Sequence, residues 1–471
     1  MPRMRSATLR TGELMDLMTE AVLSEASPSQ LERIPVPSDY VAAHIRKEDT
    51  GMFADGGDKD VRKSLHIGRV PMPDLAPDEV IVAIMASSIN YNTVWSAIFE
   101  PLPTFDFLRR YARTGGFAER HDRPYQVIGS DGAGVIVRTG SGVRRWHVGD
   151  HVVISPAQVD DQEAATHADG MLGAEQRAWG YETNFGGLAE YAIVRASQLV
   201  TKPPHLSWEE AACITLCAGT AYRMLVSRQG ACMKQGDVVL IWGAAGGLGA
   251  FAVQLVKNGG GIAIGIVGSE EKAAVLGRLG CDVIISRNEI GLAEHAESSA
   301  DGAIQRGKLL GKIIRDRAGA DPDIVFDYIG RATFGTSVFV ARRGGVIVTC
   351  GSSSGYLHEF DNRYLWMNLK RIVGSHVANL SEQWDCIRLF NRGMLVPTLS
   401  VLYRLDEAAE ATRLVQANAH MGKVGVLCLA PSSGSGITDP QQRARIGEDR
   451  LNPMHGNSVC APLTLKPDPA A

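Results

Sequence analysis

Two periodicities divide the chain. Up to about residue 215, short apolar runs such as Glu79–Met85 (EVIVAIM), Gly134–Arg138 (GVIVR) and His151–Ile154 (HVVI) are separated by glycine and proline. Runs of this kind predict strands joined by turns, hence a strand-rich first domain over residues 1–215. From about Trp208 the pattern becomes apolar runs alternating with helical spacing, as in repeated β-α-β units. Val238–Trp242 (VVLIW) reads as a buried strand, and Leu248, Phe251, Ala252, Leu255 and Val256 then mark one face of a helix. Further strands are predicted at Ile262–Val267, Val283–Ser286, Ile324–Tyr328, Gly345–Cys350 and Arg371–Gly374, with helices at Leu309–Arg317 and Thr333–Arg343. Together these predict a six-stranded doubly wound parallel sheet over residues 216–373. Residues 374–471 are mixed: a return segment that can rejoin the first domain, then a tail rich in proline, glycine and serine, expected on the surface or partly disordered.

The first strand of the sheet leads into Gly243-Ala244-Ala245-Gly246-Gly247-Leu248-Gly249. Glycines at a strand-to-helix turn let backbone approach a pyrophosphate, and the helix start supplies free N–H groups. The string alone is weak, but strand, helix and second strand all flank it, so Gly243, Ala244, Gly246, Gly247 and Leu248 are expected to hold a dinucleotide. An NAD site wants an acid at the end of the second strand; here that place reads Gly268-Ser269. Ser269, Lys272 and Arg287 suit a 2′-phosphate instead, which favours NADPH. Glu270 and Glu271 argue the other way, and solvated surface charges are the plain alternative for Lys272 and Arg287.

Composition narrows the class. Hydrophobic content of 45% and charged content of 21% are ordinary for a globular protein, and a net charge of −4 offers no basic field for nucleic acid or anionic lipid. Eight scattered cysteines without a CxxC pair suit a reducing cytoplasm better than a zinc or disulfide framework. No run of about 18 apolar residues predicts a membrane span. Glu13, Asp16 and Glu20 in the first residues do not fit a transit peptide. A cytoplasmic enzyme is the expectation.

A strand-rich domain, a nucleotide domain and a return segment resemble the medium-chain dehydrogenase/reductase superfamily. Where its zinc-dependent members carry Gly-His-Glu, this chain reads Gly129-Ser130-Asp131, and the early cysteine is replaced within Ile89-Asn90-Tyr91-Asn92, so no metal is expected. Longer strings resemble the crotonyl-CoA carboxylase/reductase family: SSINYNTVW at 87–95, WGYETNFGG at 179–187, MKQGD at 233–237, DNRYLWM at 361–367 and GSH at 374–376. The resemblance extends over most of the chain, including the N-terminal extension and the tail from Gly434. It implies a GroES-like catalytic domain plus a Rossmann-type sheet. It also implies a homo-tetramer that reduces a 2-enoyl-CoA with NADPH and carboxylates the α-carbon with carbon dioxide.

By the same resemblance Asn92, Tyr181, Glu182 and His376 would form the carbon dioxide pocket. Asn92 would donate to one oxygen, Glu182 and His376 would hold a water for the other, and Tyr181 would cover the site where relatives often carry Phe. Asn90 reads equally well as a turn residue, and Tyr222 and Trp366 as core packing. Arg363 would clamp a CoA phosphate, with a structural ion pair nearly as good a reading. Ala178 and Val377 stand where relatives often carry Ile and Phe. The lost volume implies an acyl pocket deeper than crotonyl needs, unless Leu216 or Leu380 fills the space. A non-carboxylating enoyl reductase and a non-catalytic NADPH-binding regulator are the competing readings.

Overall fold

The computed structural model describes residues 11–54, 56–292 and 300–455. Its first sheet is built around Glu79–Ile89, an eleven-residue strand buried along its whole length. An apolar run without alternation forms because both faces are covered. It pairs antiparallel with Ala133–Thr139 and Tyr191–Arg195 on the amino-terminal side of the chain. It also pairs with Lys423–Leu427, which arrives only after the nucleotide domain is complete. The sheet runs Leu199–Thr201, His151–Ile154, Ala133–Thr139, Glu79–Ile89, Lys423–Leu427, Leu399–Arg404, so the return segment supplies one of its edges.

The second sheet is parallel throughout, in the order Val283–Ser286, Ile262–Val267, Val238–Ile241, Ile324–Phe326, Val346–Thr349, Arg371–Gly374. Numbered along the chain that order is 3-2-1-4-5-6, the Rossmann arrangement, with its ligand crevice at the carboxyl ends beside the first strand. Helix Gly247–Asn258 follows the first strand directly, and its face at Leu248, Phe251, Ala252, Leu255 and Val256 is buried. A Cβ on Gly249 would lie 2.4 Å from the Gly243 carbonyl oxygen, so the last glycine of this string is what lets the helix pack against the turn.

Two terminal stretches add to the sequence reading. Helices Thr11–Leu23 and Pro28–Arg33 precede the first strand. The polar tail is docked rather than loose as far as residue 455: Gly434 N–H donates to Glu209, Trp208 N–H to the Ser435 carbonyl, and Arg443 to both oxygens of Glu210. The rest of that tail, residues 456–471, lies outside the described residues. No helix of the described residues is long and apolar enough to cross a membrane.

One buried ion pair ties the return strand into the first domain, next to the helix that leads into the nucleotide domain. Lys423 Nζ lies 3.0 Å from Asp131 Oδ2, with side-chain exposures of 2% and 0%. Asp131 also accepts from Ser88 Oγ, Asn90 Nδ2, Thr215 Oγ1 and the Leu216 N–H. Burial opposes the charge on Lys423, but Asp131, together with Cys217 and Cys213 beside it, outweighs it and the ammonium titrates above its usual range. Breaking a buried pair by removing one partner costs about 3–5 kcal/mol, because the other charge is stranded. Lys423→Met is therefore expected to lower the unfolding midpoint markedly. Asp131→Asn combined with Lys423→Met should recover part of the loss, as read by thermal and denaturant unfolding of the single and double variants.

Candidate active site

A cavity of about 890 Å³ lies between the two sheets. Its first-domain wall begins where Glu79–Ile89 ends. Asn90 occupies the N-cap of helix Tyr91–Ile98 without capping it, because its amide is committed elsewhere: Nδ2 donates to Asp131, and Oδ1 accepts from Lys423. Asn92, in the first turn of that helix, is on the cavity wall. Its Nδ2 donates to Ser130 Oγ at 2.8 Å, and its buried Oδ1 has no partner. A hydroxyl both donates and accepts, so exchanging the amide oxygen and nitrogen keeps the bond to Ser130 while releasing both N–H groups.

Beside it the wall is formed by the glycine-rich loop 178–187. Its glycines are required by close approach to residues 128–131. A Cβ on Gly180 would lie 2.0 Å from the Gly129 oxygen, and one on Gly187 2.2 Å from the Asp131 oxygen. Packed this way, the loop presents Ala178 and Tyr181 to the cavity. Glu182 stands behind them. One carboxylate oxygen accepts the Ala178 N–H at 2.7 Å, while the Glu182 N–H donates back to the Ala178 carbonyl at 2.7 Å. Burial raises the Tyr181 phenol above its usual range, with Tyr356 and Glu182 adding to the shift, so the ring stays neutral.

His376 and Val377 come from the far side, between the edge strand Arg371–Gly374 and helix Leu380–Asn391. Both are in the cavity wall. The His376 ring opens to solvent through the cavity yet is crowded by protein. Desolvation lowers its pKa, Glu182 counteracts this, and the Arg223 cation lowers it further, so the imidazole is held toward its neutral form. Val377 adopts φ +51°, a left-handed conformation in which a β-branched residue is strained.

The dinucleotide end shares the same cavity. Gly243, Gly246, Gly247 and Leu248 line it, as do Lys272 and Arg287. Gly243 has φ +60°, and its carbonyl accepts from Tyr328 Oη at 2.8 Å, so the turn is pinned from the fourth strand. A Cβ on Gly268 would meet the Arg287 guanidinium at 2.5 Å. A cation thus sits where an NAD site would place its acid, which fits a 2′-phosphate.

Several expected residues sit elsewhere. Ala244 is buried beneath the turn rather than in the wall. Ser269 caps helix Glu270–Arg278, its hydroxyl accepting from the Lys272 N–H, and does not line the cavity. Arg363 is paired with Asp361 at 2.6 Å, with 74% of its side chain exposed, and is not part of the wall. Trp366, expected in the core, is exposed. Tyr222 is half-buried and donates to Asp385. Leu216 does line the cavity, whereas Leu380 does not.

Other wall residues went unread in the sequence. Tyr328, Arg331 and Ser352 follow the carboxyl ends of the fourth and fifth strands, and that position was the available signal. Lys423 and His420 had none.

Comparison with known proteins agrees with this layout. The alcohol dehydrogenase GroES-like domain matches residues 76–204, and the zinc-binding dehydrogenase family matches residues 247–392. A crotonyl-CoA reductase of Streptomyces avermitilis is 51% identical over 92% of this chain and 98% of its own length. The chain belongs to the crotonyl-CoA carboxylase/reductase family. A crotonyl-CoA carboxylase/reductase of Cereibacter sphaeroides is 35% identical over 89% of this chain and 96% of its own. A solved 2-octenoyl-CoA carboxylase reductase, in complex with NADP and 2-octenoyl-CoA, is 63% identical, covers 93% of this chain and 99% of its own, and superposes with a TM-score of 0.91. The same enzyme without ligands, from a Streptomyces species, gives 61% identity and a TM-score of 0.88, covering 93% of this chain and 98% of its own.

Membership through a zinc-binding profile does not carry the zinc ligands with it. Ser130 and Asp131 occupy the Gly-His-Glu position and are engaged with Asn92 and Lys423. Among the described residues, no group of three or more His, Cys, Asp or Glu is arranged to hold a metal.

Hydrogen bonds to charged groups are worth about 1.5–3 kcal/mol each. Lys272→Ala and Arg287→Ala are therefore each expected to weaken NADPH binding by roughly ten- to a hundredfold. NADH binding should be nearly unchanged, as read by cofactor fluorescence titration of both nucleotides.

Proposed function

We propose that the cavity carries out NADPH-dependent reductive carboxylation of a 2-enoyl-CoA to an alkylmalonyl-CoA. The observation that carries this is the meeting of Asn92, Tyr181 and His376, with Glu182 behind them, on the wall of the cavity that also holds the dinucleotide turn. NADPH, when bound, supplies a hydride to the β-carbon and leaves an enolate at the α-carbon. The difficulty is then selectivity, because an enolate beside any acid takes a proton before it attacks carbon dioxide.

The residues present address that difficulty. Tyr181 has its acidity suppressed, so it closes the site against water without serving as a proton source. His376 is held toward neutrality, so the imidazolium, the strongest acid within reach, is sparsely populated near neutral pH. In this reading its ring and the Glu182 oxygen not bonded to Ala178 hold a water that donates to one carbon dioxide oxygen. Asn92 N–H serves the other. A non-carboxylating reductase would gain nothing from this set.

We further propose an acyl chain longer than crotonyl. Ala178 and Val377 are small, buried and in the wall, and the relative solved with 2-octenoyl-CoA shares the fold at 63% identity. The chain is also proposed to self-associate as a tetramer. Arg371–Gly374 is the open edge of the six-stranded sheet, and Ile372, Trp366, Met367 and Leu369 are exposed along it. An apolar strand edge of this kind favours pairing with another copy. A cytoplasmic location agrees with the free thiols of the described cysteines and with the supply of NADPH and acyl-CoA there.

The deciding experiment is NADPH oxidation with crotonyl-, hexenoyl- and octenoyl-CoA, with and without bicarbonate, followed by mass analysis. Alkylmalonyl-CoA is expected; saturated acyl-CoA alone at saturating bicarbonate would sink the carboxylase reading. Ala178→Ile with Val377→Phe should lower kcat/KM for octenoyl relative to crotonyl by at least ~tenfold, the scale set by filling a pocket by one or more methylenes. The His376 shift also fixes a pH dependence. Burial depresses its pKa and the Arg223 cation adds to this against the opposing pull of Glu182, so the neutral ring predominates at neutral pH, and imidazolium appears only as the pH falls through the lowered value. The reduced fraction of product is accordingly expected to rise toward acid pH and to stay flat above neutrality.

A further inference from the structure

We infer that Arg223 is a positioning residue that holds the two halves of the carbon dioxide pocket in register. This rests on the carboxylase reading above. Arg223 lies on helix Thr215–Leu225, outside the cavity wall, and its side chain is 6% exposed. Nη2 donates to Asp169 Oδ2 at 2.6 Å, and Nη1 donates to both oxygens of Glu382 at 3.0–3.1 Å. Asp169 and Glu382 are themselves 1% and 9% exposed in their side chains. One guanidinium therefore joins residues 213 positions apart in sequence through two desolvated ion pairs.

Each partner leads directly to one half of the pocket. Asp169 belongs to the excursion between strands Ala157–Gln158 and Arg177–Ala178, which pair antiparallel, and the second of them runs into Tyr181 and Glu182. Glu382 forms the capping box of helix Leu380–Asn391: its carboxylate accepts the Asn379 N–H at 2.8 Å, and its own N–H donates to Asn379 Oδ1 at 2.9 Å. That cap starts two residues after Val377 and three after His376. Asn379 Nδ2 also donates to Asp169 Oδ1 at 3.0 Å, closing a ring of three polar side chains and one cation. The frame is tight, for Gln383 Nε2 donates to the Thr215 carbonyl, and a Cβ on Gly219 would lie 2.3 Å from that nitrogen.

Among the described residues this ring links the segment that leads to Glu182 with the one that carries His376, so it bears on the distance between them. A planar fork fixes two carboxylates at once, and an ammonium in its place would not. The Arg223 charge also acts on the His376 ring against its protonation. A looser ring would move the Glu182–His376 water and admit the imidazolium, and both changes favour enolate protonation over attack on carbon dioxide.

The test is the ratio of alkylmalonyl-CoA to saturated acyl-CoA in Arg223→Lys, Asp169→Asn and the neutralised triple variant Asp169→Asn/Arg223→Met/Glu382→Gln, at saturating bicarbonate. The expected result is a fall in that ratio of roughly tenfold, with NADPH oxidation less affected, since displacement by a fraction of an ångström already penalises attack geometry. The reduced fraction in the triple variant should also begin to rise at higher pH than in the wild type. If Arg223→Lys does not fold, the ratio is read from Asp169→Asn, whose shape is unchanged. Variants that lose thermal stability or overall rate while keeping the wild-type ratio and pH profile would overturn the inference alone. A wild-type enzyme that forms only saturated acyl-CoA would remove the carboxylase reading and the inference with it.

Discussion

Asp131 is the point on which the two domains and the site all rest. A carboxylate with no exposure has lost its hydration, and only a full set of donors makes that tolerable. It has five: Ser88, Asn90, Thr215, the Leu216 N–H and Lys423. They come from the end of the central strand, from the start of the helix entering the nucleotide domain, and from a strand 292 residues further along the chain. The first domain is thus completed only when the return strand arrives, and the cavity between the sheets has a floor fixed by charge as well as by packing. Asn90 is removed from chemistry by the same contact, which leaves Asn92, one residue into the helix, as the amide with unsatisfied capacity.

What could be read from sequence follows from how local each signal was. The six strands of the nucleotide sheet were legible because each is a short apolar run bounded by turns. The glycine turn was legible because three elements around it had to agree. The capping role of Ser269 was hidden, since a serine before two glutamates suits both a helix start and a phosphate contact. Trp366 was misread because an aromatic beside a strand is usually core, yet here it borders the open edge of the sheet. Asp131–Lys423 and Arg223–Glu382 were not legible at all. A lone lysine at a strand end and a lone arginine on a helix read as solvated charges until the fold brings their partners to them.

The site is divided between segments that cannot define it separately. Residues 178–182 belong to the first domain, and residues 376–377 to the link between the nucleotide sheet and the return segment. Neither loop would hold its shape alone. The first is seated by glycines against residues 128–131, and the second is stretched between an edge strand and a capped helix. The proposed carboxylation, which must exclude water around a weakly bound gas, has reason to be built this way, because walls drawn from two segments leave less of the site to bulk solvent.

The same division explains how substrate range can vary while the chemistry persists. Ala178 contributes its side chain to the cavity wall, where the acyl chain is proposed to lie, but it holds Glu182 through its backbone N–H, a contact indifferent to side-chain size. Val377 likewise offers its side chain to the wall, while its part in presenting His376 is the left-handed turn of its backbone. At both positions volume is written in the side chain and catalytic geometry in the main chain. A larger residue can shorten the pocket at either place without detaching the acid or the imidazole beside it. A position whose side chain is itself proposed to act, such as Asn92, has no such freedom.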